Sequence, residues 1–321
     1  MLVSEELPAV LGGTAPTMNI GELETKGFEL TLGWRDKIND FGYGITFMLS
    51  DNRNKLLSLK GSDTKAEGRV FAREGYPINS YFGYESLGII KTEQQLEEYR
   101  IKHGGIVPTA QLGLGDMMYR DIDGDGVISP FGADGMSGDL KYLGTRNPRH
   151  TFSTNINLSY KNFDFNMFLQ GVGTRHTVRV GNFMAPFTER WWQPMAYFHG
   201  KTWTADRPDA TIPRIINGGG DVVRTWNYRF SDSPHRLIDD AYLRVKLMTL
   251  AYNVPQGLCN RLNLGSLRVY VSGQDLLTFA RGSLEKTYDP EDGWVSEISP
   301  GGSDITYPFA KIVSFGLDIR F

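Results

Sequence analysis

Cysteine is almost missing. One residue, Cys259, in a chain of 321 excludes an internal disulfide framework and every multi-cysteine zinc pattern. No stretch approaches the ~18 consecutive apolar residues of a transmembrane helix. The net charge of -3 provides no basic excess of the kind a nucleic-acid surface needs. Catalytic signatures are also scarce. There is no G-x-S-x-G and no phosphate-binding glycine loop, and Gly171-Val172-Gly173 is an isolated fragment. His103, His150, His176, His199 and His235 show no metal-ligand spacing. No pair of carboxylates stands out as a glycosidase dyad, so the chain reads as a non-enzyme. The opening MLVSEELPAV has neither a basic n-region nor a long apolar h-region, so it is no secretory signal.

What is present is alternation. From Val313 to Phe321, the apolar Val313, Phe315, Leu317, Ile319 and Phe321 alternate with Ser314, Gly316, Asp318 and Arg320. Period two marks a strand with two unlike faces. A soluble edge strand this apolar would invite aggregation. A strand with lipid on one side and a watery lumen on the other would not. The same pattern places Phe28, Leu30, Leu32 and Trp34 on one face, and Tyr43, Ile45, Phe47 and Leu49 after the Asn39-Asp40 turn. It recurs over 152–160, over 163–170 after Lys161-Asn162, and over 267–275. Between Val245 and Met248 the phase slips near Lys246-Leu247, which predicts a β-bulge. About eight strands of roughly ten residues result, each long enough to cross a bilayer at a tilt. The abundant aromatics (18 Phe, 15 Tyr, 6 Trp) and 37 Gly suit such a protein. A mean hydropathy of -0.32 does too, because barrel strands are only half apolar.

Connections alternate in length. Residues 37–41 and 161–162 are tight turns, whereas 52–78, 91–150, 174–235 and 281–308 read as long loops. Short turns on one side and long loops on the other is the outer-membrane barrel pattern. Thr92–Lys102 reads as a short helix inside a loop. Within Y-R-D-I-D-G-D-G-V-I-S-P, Asp121, Asp123 and Asp125 occupy positions 1, 3 and 5 of an EF-hand-like loop. Gly126 stands at the turn, Val127 offers a carbonyl and Ser129 sits at position 9. Carboxylates at that spacing converge on a hard cation, so a calcium ion is the expected ligand. Position 12 is Gly132, leaving Asp134 or Asp139 to replace the usual Glu. An Asp/Gly-rich turn without an ion is the other reading. Trp191, Trp192, Tyr197 and Trp203 gather in one loop. They could contact substrate or a partner lid, or pack the loop on itself, which is the commoner use.

Taken in order, the motifs resemble the C-terminal part of SusC-like (SusC/RagA family) TonB-dependent outer-membrane transporters. The series runs from N-I-G-E-L-E-T-K-G-F-E at 19–29 through Tyr119–Gly126, Gly144–Pro148 and Tyr160–Asp164. It continues with Ala241–Arg244, Leu250–Pro255, Leu267–Tyr270, Gln274–Leu276, Asp289–Glu291, Tyr307-Pro308 and the terminal Phe321. The resemblance implies an all-β fold: the C-terminal portion of a large antiparallel transmembrane β-barrel with long extracellular loops, spanning 1–321. The family's plug and N-terminal domains, and any export signal, would then lie outside these residues. It further implies TonB-driven import of glycan, or of peptide, with a SusD-like lipoprotein capping the loops. On this reading the location is the outer membrane, the TonB system couples through the missing N-terminal region, and lipid is the surrounding partner. The sheet alone would have two raw edges. The competing class is a soluble secreted calcium-binding, carbohydrate-binding or adhesin-like β-domain.

Overall fold

The computed structural model describes residues 2–4, 17–19, 21–59, 68–70, 73–103, 109–131, 138–179, 183–187, 194–216, 222–282, 289–291 and 310–321. One antiparallel sheet contains β1 (Glu22–Ile38), β2 (Phe41–Ser58), β3 (Arg149–Tyr160), β4 (Phe163–Thr174), β5 (Tyr242–Asn253), β6 (Ser266–Ala280) and β7 (Ile312–Arg320). The strands lie side by side in chain order, with β1 and β7 at the two edges. Among the described residues the large sheet has seven strands, where about eight were expected of the chain. β1 and β2 are 17 and 18 residues long, well beyond ten. Residues 52–58, assigned from sequence to a loop, continue β2. They carry charged residues in place of apolar ones, so hydrophobic alternation loses them even though ladder pairing runs on to Glu22 opposite Ser58.

The two tight turns fall where the sequence placed them. Asn39 and Lys161 take up positive φ of 54° and 52°, the left-handed conformation a two-residue hairpin turn requires. Lys246 is skipped by the registers with both neighbouring strands, so the phase slip is a bulge.

Register converts the alternation into two surfaces. On one face Trp34, Ile45, Ile156, Met167, Met248, Gly273 and Val313 lie opposite one another across all the strands. Nearer the short turns the row reads Ile38, Phe41, Tyr160, Phe163, Tyr252, Val269 and Leu317. The rings of Phe163 and Tyr252 meet at a tilt, their centres 4.8 Å apart. This row is an aromatic girdle of the kind found at a membrane interface. Large side chains stand open on this face, Trp34 at 67% and Phe315 at 84% exposure. The opposite face carries the row Arg35, Gly44, Asn157, Asn166, Thr249, Ser272 and Ser314. Asn166 Nδ2 donates to Asn155 and Asn157 at 3.0 and 2.6 Å. Met48, Phe168 and Tyr270 interrupt that polar face. Tyr270 lies over Gly316 so closely that a Cβ there would meet its ring at 2.1 Å, an aromatic covering a strand glycine.

The densest core is not in the sheet. The long connections β2–β3 and β4–β5 fold together into a lobe at the end opposite the short turns. Its core contains Tyr84, Ile90, Leu96, Tyr99, Tyr119 and Trp226. α1 (Glu93–Lys102) begins at Thr92 with a capping box closed by Gln95, and it buries Leu96 and Tyr99. α2 (Val222–Asn227) comes from the other connection and buries Val223, Trp226 and Asn227. A buried large apolar side chain contributes about 1.5–3 kcal/mol, so loops of this composition hold a shape of their own.

Candidate functional site

The lobe is stitched across its two connections at 116–119. Asp116 is fully buried and accepts from Arg214 Nε and Nη2 at 2.7 and 2.9 Å. Asn227 Nδ2 and the Gly113 N–H donate to the same carboxylate at 2.8 and 2.7 Å. Trp226 Nε1 donates to Met117 O at 2.8 Å, and the Tyr119 hydroxyl donates to Trp226 O at 2.9 Å. Paired charges and satisfied backbone let a polar seam exist inside an apolar core.

Directly after Tyr119 comes the aspartate loop. Asp121 accepts from Gly124 N at 2.6 Å and Gly126 N at 3.1 Å. Gly126 sits at φ 85°, a conformation that disfavours any side chain. Asp139 is fully buried and accepts from Ile122 N at 2.6 Å and Ser129 N at 2.8 Å. Among the described residues, Asp121, Asp123 and Asp139 have carboxylate oxygens within 4.8 Å of one another. Burial, and then the charges of Asp123 and Asp121, push the Asp139 carboxyl above its usual range. Burial also lowers the pKa of His103. Gly126 O can only accept, so His103 Nδ1–H donates to it at 3.2 Å and ties the loop to the end of α1.

The expected ligands therefore separate. Asp121 and Asp123 stand together, and Asp139 joins them from the far side of the loop. Asp125 is outside that group and accepts from Val127 N at 2.7 Å. The Ser129 hydroxyl donates to Phe131 O. Gly132 and Asp134 lie outside the described residues, as do Trp191 and Trp192. Of the other two aromatics, Tyr197 packs beside Phe198, Ile212 and Tyr228, with Lys201 Nζ 3.9 Å above its ring. Trp203 packs against the larger core, where a Cβ on Gly115 would meet its ring at 2.3 Å. Both are half-buried and hold the loop together.

A second constellation escaped the sequence reading. Arg244 Nη2 contacts both oxygens of Asp289 at 2.7 and 2.8 Å, and Arg244 Nη1 reaches Glu291 at 3.2 Å. The bulged Lys246 contacts Asp275 at 2.8 Å and Glu291 at 2.7 Å. These residues come from three of the separate motifs, Ala241–Arg244, Gln274–Leu276 and Asp289–Glu291. Only the ladder register and the bulge bring them to one place, pinning the last connection to the polar face of the wall.

No family model matches the chain. Among curated proteins, all of it aligns with TonB-dependent receptor P3 of Formosa agariphila at 30% identity and with receptor P26 of the same organism at 27%. Among solved structures, the RagAB peptide transporter matches all of it with a TM-score of 0.70 at 19% identity. The RagAB peptide importer in its open-open state matches with a TM-score of 0.66. The chain spans 31% of the length of either receptor and 32% of the RagAB transporter chain. In its motifs, its two-faced wall and its full-length matches, the chain resembles the C-terminal part of a SusC-like TonB-dependent outer-membrane transporter, a barrel portion with long extracellular loops in the outer membrane.

Proposed function

We propose that the chain serves TonB-dependent import across the outer membrane, as the wall and outer vestibule of a transporter. The observation that carries this is the register: seven adjacent strands present one largely apolar and one largely polar surface, with the bulge at Lys246 absorbing the one slip in phase. Residues 1–321 act as one C-terminal barrel segment, and its two raw edges pair with further strands of the same barrel. The polar face lines the path. The lobe faces outward, where a SusD-like lipoprotein closes over it, and the TonB system engages a plug region elsewhere. The substrate is an oligosaccharide. Peptide is the second reading, favoured by the fold shared with a peptide transporter. Cells carrying the protein should accumulate labelled oligosaccharide only while TonB is present. Accumulation of labelled peptide alone would select the second reading. A chain that stays monodisperse without detergent would sink the barrel assignment and favour a secreted β-domain.

The aspartate loop holds a calcium ion in the same proposal. Three hard carboxylate donors within reach of one ion fit it, and an ion would offset the burial and the neighbouring charges that raise Asp139. Asp121, Asp123 and Asp139 would bind the ion, with Val127 O as a further donor, and its role would be to stiffen the vestibule. Chelator should speed proteolysis between 121 and 139, and Asp123→Ala should remove the difference. Protons compete for Asp139, whose folded pKa is raised. Calcium protection should therefore fade as pH falls through a window above the 3.8 of an ordinary aspartate. Equal cleavage with calcium and with chelator would refute the ion.

A further inference from the structure

β1 and β2 continue past the apolar band, and their outward face then changes character. Counting up from Ile38 opposite Phe41, the paired outward residues are Asp36 with Tyr43, Trp34 with Ile45, Leu32 with Phe47, Leu30 with Leu49 and Phe28 with Asp51, apolar except for the two aspartates, the second of which is buried against Arg149. The next outward pairs are Lys26 with Arg53 and Glu24 with Lys55. About ten residues of tilted strand span the hydrocarbon, so these pairs stand at headgroup level on the long-loop side. Their side chains are open, Lys26 at 74% and Arg53 at 68%. A ledge from the loops overhangs them. Tyr142 and Pro77 help to wall a groove of ≈ 340 Å³ that Lys26, Arg53 and Lys55 also line. Tyr76 and Tyr142 lie 5.4 Å apart beside it, as aromatics do at a membrane interface.

Arg149 forms part of the groove lining, and its charge is already matched. Its Nε and Nη2 hold the two oxygens of buried Asp51 at 2.6 and 2.8 Å. Lys26 reaches Glu24 at 2.7 Å, while Arg53 makes a single longer contact with Asp51 at 3.3 Å. Lys26 and Glu24 are both open to solvent, and an exposed pair of this kind is weak and exchangeable. Glu24 lines the groove as well, so three cations face one carboxylate there, a net positive charge above an apolar wall at headgroup depth.

We propose that this groove binds the phosphate-bearing headgroup of an outer-leaflet lipid, with the acyl chains lying on Phe28, Leu30 and Phe47. The inference rests on the barrel reading. Lipid rather than free phosphate is assigned because Lys26 is followed on the same face of β1 by Phe28 and Leu30.

The test uses the full-length transporter in bilayer discs containing either bisphosphorylated or dephosphorylated lipid A, with thermal unfolding and lipid retention as readouts. Bisphosphorylated lipid A should raise the melting temperature and stay bound through washing. The triple variant Lys26→Ala/Arg53→Ala/Lys55→Ala should assemble normally yet lose retention on the order of tenfold or more, as expected when several basic residues leave a lipid surface. Equal retention by wild type and variant would overturn the proposal. Displacement of the lipid by inorganic phosphate would instead assign a free-phosphate site and overturn it equally. Failure of the wild type to enter discs would be failure of the barrel reading, a separate outcome.

Discussion

Ile45→Arg should cripple membrane assembly, whereas its neighbour Thr46→Arg should be tolerated. Ile45 lies between Trp34 and Ile156 in the middle of the apolar face and is 43% exposed. Counted from the turn, it sits near the depth where hydrocarbon is thickest. An arginine on the lipid face of a barrel at mid-depth costs about 2–4 kcal/mol. Thr46 points to the other surface, opposite Gly33 and Asn155, where an extra cation meets water. Denaturant titration of the folded protein in bilayers should separate the two variants by about that amount. Equal loss for both would mean that the two faces share one environment, and the lipid assignment would fall.

Arg214→Ala should open the lobe and leave the wall intact. Asp116 has no solvent access, so removing the guanidinium leaves a buried charge supported only by Asn227 and the Gly113 N–H. Deleting one partner of a fully buried pair costs ~3 kcal/mol or more; Arg214 is itself 35% exposed, so the loss here is expected below that. The seam joins two connections that share a single core, so opening is expected to spread through both as one unit. Proteolysis under native conditions should then cut within 84–131 and 196–229 at least tenfold faster, while strand amides of the sheet keep their exchange protection. Unchanged cleavage would show that the apolar core around Trp226 carries the lobe without the clamp.

Several elements were legible in the residues because their physics is local. Alternation assigned the faces of β1 to β7, Asn39-Asp40 marked a turn, and Thr92–Lys102 read as a short helix. The slip at Lys246 announced a bulge because one added residue inverts every later side chain. Where polar residues continue a strand the signal fails, and so the upper part of β2 read as loop.

The acidic site was half legible. Spacing brought Asp121 and Asp123 together and left Asp134 or Asp139 as the further carboxylate; the structure brings Asp139 to them, while Asp125 turns to its own local backbone. Periodicity and local turn chemistry thus determined by themselves that this is a two-faced antiparallel wall with long loops on one side. Tertiary structure alone decided that those loops close on a common core around Trp226, and that Asp116 meets Arg214. It alone gathered Arg244, Lys246, Asp275, Asp289 and Glu291 at one point. Contacts of that kind depend on strand register and on apolar burial between distant segments, and neither leaves a periodic trace in the chain.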